Sequence, residues 1–286
     1  MSGFGLSGFT FCRNAVALGY PLRESIQSIL PIVDEFVVAL GPSEDGTGEM
    51  VENIGSPKIR IVETTWDENQ TTDARVLSTQ ATFALSCCRF PWAFHLQADE
   101  VIHEEDLPGL QALMREHLGN RQVLGFMFRF LHFLLDYRSV DPWAFRREVR
   151  IVRNDGQLRS AGDSCGFARK SDGLYLGKKL LGREVLWTGA RVFHYSTVMQ
   201  RDALEKKISS MLRIRHGDPP AAALEEMTRT TVEKLERQYS IMKEYRGSHP
   251  RVMRERIAAA DPFRPRVNRW LNWRFYGNVF THGFKG

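Results

Sequence analysis

The sequence predicts an α/β fold in which a mostly parallel sheet is flanked by helices and followed by a helical, basic C-terminal extension. Apolar runs alternate with segments of helical periodicity through the first 100 residues, an order typical of a parallel sheet covered by helices. Residues 35–40 (EFVVAL) form a nearly continuous apolar run, as strands buried on both faces do. The length of 286 residues suits one large domain with an extension. We therefore divide the chain into a domain at residues 1–215 and an extension at residues 216–286.

The individual elements follow in order along the chain. In the segment 22–33, Leu22, Ile26, Ile29 and Val33 recur on one helical face. The first half is predicted to hold strands at 9–12, 35–40, 58–63 and 91–96, separated by helices at 22–33, after Thr47 and at 71–88. The second half is predicted to hold helices at 108–117, 202–214 and 224–245, with strands at 148–153 and 185–195.

Composition and charge narrow the class of protein. Apolar residues make up 43% of the chain and charged residues 26%, as in ordinary globular proteins. No apolar run reaches the length of a membrane-spanning helix, and no basic segment precedes an apolar run at the N-terminus, so we expect a cytoplasmic protein. The four cysteines lack metal-binding spacing, and we expect them to be reduced.

The net charge of +5 is unevenly distributed. Residues 243–286 contain ten Lys or Arg and three Asp or Glu, so the rest of the chain carries a small net negative charge. A basic tail on a nearly neutral body indicates an anionic partner for the tail. Charge alone leaves anionic lipid, a phosphorylated glycan and nucleic acid open.

The sharpest local signal is residues 92–100 (WAFHLQADE), where an apolar strand ends in the acidic pair Asp99 and Glu100. Ligands of open α/β sheets bind outside the carboxyl ends of the strands. Carboxylates placed there can hold a hard divalent cation, which in turn can hold a diphosphate. A solvated strand end is the alternative.

Five segments occur in an order that resembles a known family: residues 11–14 (FCRN), 22–30 (LRESIQSIL), 34–47 (DEFVVALGPSEDGT), 92–100 (WAFHLQADE) and 193–196 (FHYS). The chain is similar in these segments to family 2 glycosyltransferases of the GT-A fold, especially bacterial enzymes that build surface glycans. The resemblance covers roughly residues 8–215. It implies a GT-A, Rossmann-like domain that transfers a sugar from a nucleotide-diphosphate donor.

The resemblance also implies roles for individual residues. Asp99 matches the metal-binding last acid of the family's DXD motif, and His194 matches a histidine that completes the metal site in some members. The implied cofactor is Mg²⁺ or Mn²⁺, which would neutralise the leaving nucleoside diphosphate. The positions that match nucleotide-sugar contacts are Asn14, Ser43, Asp45, Arg75, Gln97 and Asp99.

Two positions depart from the family's pattern. The first acid of the DXD motif is Gln97 here, which can hydrogen-bond but carries no charge. The acid that usually ends the second strand is Leu40 here, so the strand lacks a polar contact for the nucleotide. These departures leave open an unusual donor, weak binding or loss of catalysis.

Inverting transfer requires a carboxylate that takes the proton from the acceptor hydroxyl. Asp163, in the segment 160–165 (SAGDSC), is the first candidate, because it follows the strand predicted at 148–153. Asp141 and Glu184 are the alternatives. A surface carboxylate with no catalytic role is possible at each position.

The C-terminal tail supports a separate hypothesis. Arg264, Arg266, Arg269 and Arg274 alternate with Trp270, Trp273, Phe275 and Tyr276. Aromatic rings suit a membrane–water boundary and Arg pairs with lipid phosphates, so peripheral contact with the inner face of the membrane is one reading. A tail whose rings pack on the domain is the other. No nucleic-acid-binding module is recognised.

Taken together, the residues and the resemblance predict a hexosyltransferase. The resemblance implies an inverting, metal-assisted transfer to a glycan or lipid-linked glycan, as in lipopolysaccharide biosynthesis. The main alternative is a non-catalytic GT-A relative that binds a nucleotide sugar or glycan as a partner subunit. A nucleotidyltransferase ranks lowest, because Gly3, Gly5 and Gly8 do not follow the first strand as a phosphate-binding loop would.

Overall fold

The computed structural model describes residues 3–67, 74–144, 147–260 and 269–283. The strands are β1 (Leu6–Cys12), β2 (Glu35–Leu40), β3 (Ile59–Glu63), β4 (Trp92–His95), β5 (Glu100–Ile102), β6 (Gly125–His132), β7 (Ser139–Val140), β8 (Arg147–Arg153), β9 (Leu158–Ala161), β10 (Gly166–Arg169), β11 (Val185–His194) and β12 (Lys243–Glu244). The helices are α1 (Leu22–Ile29), α2 (Thr47–Glu52), α3 (Arg75–Ser86), α4 (Leu107–Glu116), α5 (Arg201–His216), α6 (Ala221–Tyr239), α7 (Arg254–Ala258) and α8 (Trp273–His282).

Eight strands form one sheet in the order β3-β2-β1-β4-β8-β6-β11-β5. The first four strands of that order are mutually parallel, and β11 runs parallel to β6. Strand β8 is antiparallel to both of its neighbours, and β5 closes the edge antiparallel to β11. The predicted α/β class, with a mostly parallel sheet flanked by helices, is therefore confirmed.

The parallel strands are buried on both faces, which explains their continuous apolar runs. Phe36 and Val38 of β2 pack on one side with Ile26 of α1. Val37 and Ala39 of the same strand pack on the other side with Ala81 of α3. Alternate residues of one strand thus serve two separate cores, as the two-residue period of a strand requires.

Several predicted boundaries differ from the observed ones. Helix α1 ends at Ile29 rather than at residue 33, because Pro31 has no backbone N–H with which to continue the helical hydrogen bonds. Helix α6 ends at Tyr239, and the residues after it pair as β12 with β7 instead of continuing the helix. Sequence analysis also missed the hairpin formed by β9 and β10. Residues 71–73 of the predicted third helix lie outside the described residues.

Helix α8 has one buried aromatic ring, and several of its other large side chains are exposed. Phe275 of α8 is buried against a cluster that contains Tyr239, Ile241 and Met242. By contrast, Trp273 is 76% exposed and Phe280 is 94% exposed. The buried Phe275 agrees with a tail that packs on the domain, whereas contact with a membrane stays a prediction. Arg264 and Arg266 lie outside the described residues. Within the described ranges, no helix combines the length and the apolar character needed to span a membrane.

Candidate functional site

A cavity of about 710 Å³ opens at the carboxyl ends of β1 and β4. Its floor is formed by the segments that leave these two strands, including Asn14 and residues 97–99. Helix α5 lies across it and contributes Lys207 and Arg215, and α6 adds Thr231 and Leu235. The cavity thus lies where ligands of open α/β sheets bind.

The turn between β4 and β5 is fixed by a fully buried ion pair. Glu100 accepts from Arg150 at two atoms, with Nε to Oε2 at 2.7 Å and Nη2 to Oε1 at 2.6 Å. Both side chains have no exposed surface. Glu100 Oε2 also accepts from the backbone N–H of Gln97 at 3.2 Å, which closes the turn around residues 97–100. Glu100 therefore has a structural role and does not line the cavity as a metal ligand.

The ion pair between Glu100 and Arg150 also contacts the loop that contains Asp163. Arg150 Nη1 donates to the carbonyl oxygen of Cys165 at 2.5 Å. From the other side, Gln97 Nε2 donates to Ser164 at its hydroxyl, 2.8 Å, and at its carbonyl, 3.2 Å. Ser164 is buried and has a φ of 67°, an uncommon conformation for a residue with a side chain. These contacts hold the loop beside the turn that contains Asp99.

Asp99 is buried and paired with a lysine that the sequence analysis did not single out. Lys207 Nζ lies 2.9 Å from Asp99 Oδ2 and also donates to the hydroxyl of Ser196 at 3.1 Å and to the carbonyl of Ser196. Burial alone raises the pKa of Asp99, but Lys207 and His194 outweigh it and hold that pKa well below its usual range. Burial likewise lowers the pKa of Lys207, and the Asp99 carboxylate reverses this and raises it. Both groups are therefore charged at neutral pH.

His194, at the end of β11, lies between a second histidine and Asp99. Its Nδ1 is 2.7 Å from His132 Nδ1, and its Nε2 is 3.4 Å from Asp99 Oδ1. Because two ring nitrogens in contact need one proton between them, one histidine donates to the other. Both nitrogens of His194 thus face protein groups.

The residues of the predicted metal site do not fit a divalent cation in this arrangement. A hard cation needs several oxygen ligands that are free to turn towards it. Here Asp99 contacts Lys207 and His194 through its two oxygens. The Gln97 amide nitrogen donates to Ser164, which fixes the orientation of this side chain. Across the described residues, no group of three or more His, Cys, Asp or Glu side chains could hold a metal ion.

Asn14, Ser43 and Asp45 lie together, but only Asn14 lines the cavity. Asn14 has a φ of 52°, and its backbone N–H donates to Ser43 Oγ at 2.9 Å. Asp45 accepts from the N–H of Ala17 at 2.7 Å and from the hydroxyl of Thr47 at 2.6 Å. Although burial raises the pKa of Asp45, these hydrogen bonds outweigh it and lower that pKa. Ser43 and Asp45 therefore tie the loop after β2 to the loop after β1.

The three candidate bases occupy different places. Asp163 lines the cavity with its carboxylate 39% exposed, and its Oδ2 accepts from Arg215 at 3.2 Å. Asp141 accepts from two backbone N–H groups and from Gln238, away from the cavity. Glu184 pairs with Arg169 and does not line the cavity either. Asp163 alone of the three has access to a ligand bound there.

Arg75 lies on α3, outside the loops that hold Asn14, Ser43 and Asp45. It is exposed at the first residue of α3 and does not line the cavity. The cavity wall also contains Trp66 and Phe11, whose ring centroids are 6.1 Å apart. The guanidinium group of Arg13 lies over the Trp66 ring. None of these three residues was predicted.

The burial of Lys207 could have been predicted from the sequence. The apolar face of α5 is marked by Leu204, Ile208 and Met211. Lys207 falls three residues after Leu204 and beside Ile208, so helical geometry places a lysine on the buried face. A lysine there needs a buried anion, and Asp99 is that anion.

No protein-family model matches the sequence. No curated protein matches it either. Among solved structures, residues 1–349 of S. aureus TarS in complex with UDP-GlcNAc align at 12% identity and a TM-score of 0.42, over 80% of this chain and 72% of that one. A longer TarS structure aligns at 14% identity and a TM-score of 0.40, over 81% of this chain, which spans 43% of its length.

Glucosyl-3-phosphoglycerate synthase from Mycobacterium tuberculosis, in complex with Mn²⁺ and UDP-glucose, aligns at 12% identity and a TM-score of 0.37, over 87% of each chain. Similarity at this level assigns neither an activity nor a substrate to this chain.

Replacing Arg150 with methionine should disorder the turn that contains Asp99 and lower the free energy of unfolding of the domain. The change leaves the Glu100 carboxylate buried without a partner, which costs about 3–5 kcal/mol in comparable pairs. Denaturant unfolding of Arg150→Met measures this loss, and Arg159→Met, which removes an exposed arginine from β9, is the matched control with a change of about 0.5 kcal/mol or less. A double variant, Glu100→Gln with Arg150→Met, should recover part of the loss. Stability of Arg150→Met within about 1 kcal/mol of the wild type would contradict the role of the pair.

Proposed function

We propose that this chain is a glycosyltransferase that binds a nucleotide-diphosphate sugar in the cavity and transfers the sugar to a hydroxyl group of a glycan. The observation that carries the proposal is the cavity itself, which gathers aromatic rings, cations and an accessible carboxylate at the carboxyl ends of parallel strands. Its cationic residues are Arg13, Lys207, Arg213 and Arg215.

The two halves of the cavity suit the two halves of a donor. Trp66 and Phe11 provide an aromatic wall for a nucleotide base, and Asn14 adds a polar group beside it. Lys207 and the arginines near the end of α5 suit a diphosphate, because charged groups recognise phosphate oxygens strongly. Gln97 and Asp99 also line the cavity, and Asp99 is in contact with Lys207.

Asp163 is the proposed catalytic base. In an inverting transfer, the acceptor oxygen attacks the anomeric carbon and its proton passes to the carboxylate. The bond between that carbon and the phosphate oxygen breaks, and the electron pair leaves with the nucleoside diphosphate. Asp163 borders the cavity with part of its carboxylate open to solvent, and an acceptor could displace Arg215 from it. The identity of the acceptor and the inverting outcome are inferred from the family resemblance.

The division of the chain at residue 215 stays a prediction. Helix α6 lies beyond that boundary, yet Thr231 and Leu235 of this helix line the cavity. We propose that the extension completes the acceptor side of the cavity as well as forming a separate surface through α8.

A non-catalytic nucleotide-sugar-binding subunit is the second candidate. Two departures favour it: the apolar Leu40 at the end of β2 and the uncharged Gln97 in the turn after β4. Binding of a nucleotide sugar without its consumption would support this candidate.

Replacing Asp163 with asparagine should remove transfer and leave donor binding intact. Loss of a general base typically lowers the rate by about 10²–10⁴-fold. A thermal-shift screen with UDP, GDP, CDP and ADP identifies the base, since a ligand of the folded state raises the melting temperature. Release of the nucleoside diphosphate from the matching nucleotide sugar then gives the rate. Asp155→Asn, which alters an exposed aspartate outside the cavity, is the matched control. Equal rates in Asp163→Asn and Asp155→Asn would remove Asp163 from the mechanism.

We also propose that the outer face of α8 and the residues before it rest on an anionic membrane at the cytoplasmic side, where a lipid-linked acceptor would be presented. Leu271, Trp273 and Phe280 are between 76% and 94% exposed. The ten basic residues among residues 243–286 supply charge complementary to anionic lipid. Lipopolysaccharide biosynthesis is one pathway class in which such an acceptor occurs.

The full chain should sediment with phosphatidylglycerol vesicles and much less with phosphatidylcholine vesicles. Trp273→Ser combined with Phe280→Ser should abolish the binding, because the rings no longer enter the interface. Leu174→Ser, which removes another exposed apolar side chain far along the sequence, should bind as the wild type does. Equal binding of both variants and of the wild type would exclude α8 as the contact.

A further inference from the structure

The ammonium group of Lys207 lies next to the Asp99 carboxylate. Lys207 is 7% exposed, and its ammonium group lies between Asp99 and the main chain and hydroxyl of Ser196. The same ammonium lies 4.4 Å from the centroid of the Tyr20 ring. Lys207, Asp99, Ser196 and Tyr20 all line the cavity.

The charges of this cluster balance without an ion. A site built from two aspartates and one divalent cation has a net charge of zero. In this chain Gln97 is neutral, Asp99 carries one negative charge and Lys207 one positive charge, so the sum is again zero. The change of one acid to glutamine and the presence of a buried lysine therefore compensate each other. A divalent cation added beside Lys207 would leave an uncompensated double charge in a buried place.

Helix α5 brings further positive charge to the same cavity. Arg213 and Arg215 both line it, about two turns after Lys207. Arg213 pairs with Asp218 at 3.1 Å and Arg215 with Asp163 at 3.2 Å, and all four side chains are at least 39% exposed. Exposed pairs of this kind are weak, so they can exchange partners when a ligand enters.

We infer that the Lys207 ammonium group takes the place of a divalent cation, so that the site binds the diphosphate of its donor without a metal ion. This inference rests on the proposed function of the cavity. Lys207 keeps its proton throughout and supplies only positive charge, which offsets the negative charge that develops on the departing diphosphate. The proton of the acceptor goes to Asp163, and the bond to the anomeric carbon breaks as described above.

The first arm of the test measures metal binding without any nucleotide. Mn²⁺ is titrated into the full chain and the signal of free Mn²⁺ is followed by electron paramagnetic resonance. We expect the free signal to match that of buffer alone at micromolar concentrations. A stoichiometric Mn²⁺ site that disappears in Asp99→Asn would overturn the inference and leave the proposed function standing.

The second arm measures nucleotide binding by calorimetry, with UDP, GDP, CDP and ADP in EDTA and then in Mn²⁺. We expect the nucleotide that binds to do so with the same affinity, within about threefold, in both buffers. In EDTA, the double variant Asp99→Asn with Lys207→Met should lose at least tenfold in affinity, a change of about 1.4 kcal/mol. Removing both partners leaves no unpaired buried charge, so this variant keeps its fold. Lys206→Met, an exposed lysine on the same helix, is the control and should bind as the wild type does.

The outcomes separate the two claims. Binding that requires Mn²⁺, or a double variant that binds as tightly as the wild type, overturns the role of Lys207 alone. Absence of binding for all four nucleotides in both buffers overturns the proposed function, and the inference falls with it.

Discussion

The buried pair between Glu100 and Arg150 is the constraint on which the site depends. It joins three segments that are distant in the sequence: the turn after β4, the strand β8 and the loop at residues 163–165. A fully buried ion pair gives little net stability, since desolvation offsets most of the attraction. Its main effect here is geometric, because it fixes where Asp99 and Asp163 stand relative to each other. The hydrogen bonds from Gln97 to Ser164 close the same unit from the cavity side.

Helix α5 completes the site by contributing positively charged side chains to the cavity. Lys207 neutralises Asp99. The end of the helix adds Arg215, which pairs with Asp163, and Arg213, which also lines the cavity. An acid on a strand end and a cation on a covering helix thus meet inside the cavity. The charges of Asp99 and Lys207 therefore cancel within the folded chain, without a bound ion. Binding of phosphate in this cavity depends on how α5 packs over it.

The architecture could be predicted from the sequence because burial leaves a clear pattern. The continuous apolar run of β2 and the helical spacing of α1 both follow from simple periodicity. The hairpin of β9 and β10 was missed because each strand has only four residues and neither forms an extended apolar run. It is held by contacts to distant elements, such as the Thr82 hydroxyl of α3. Asp99, His194, Gln97, Asn14 and Asp163, all named from the sequence, line the same cavity. The partner of Asp99 could not be predicted in this way, because Lys207 is 108 residues from it and sequence spacing carries no information on that pairing.

The most direct test of the central claim is a crystal structure of the full chain grown in EDTA with the nucleoside diphosphate that binds in solution. We predict density for the base beside Trp66 and for the diphosphate within hydrogen-bonding distance of Lys207 Nζ, in the cavity at the carboxyl ends of β1 and β4. Density for the nucleotide outside this cavity would contradict the account.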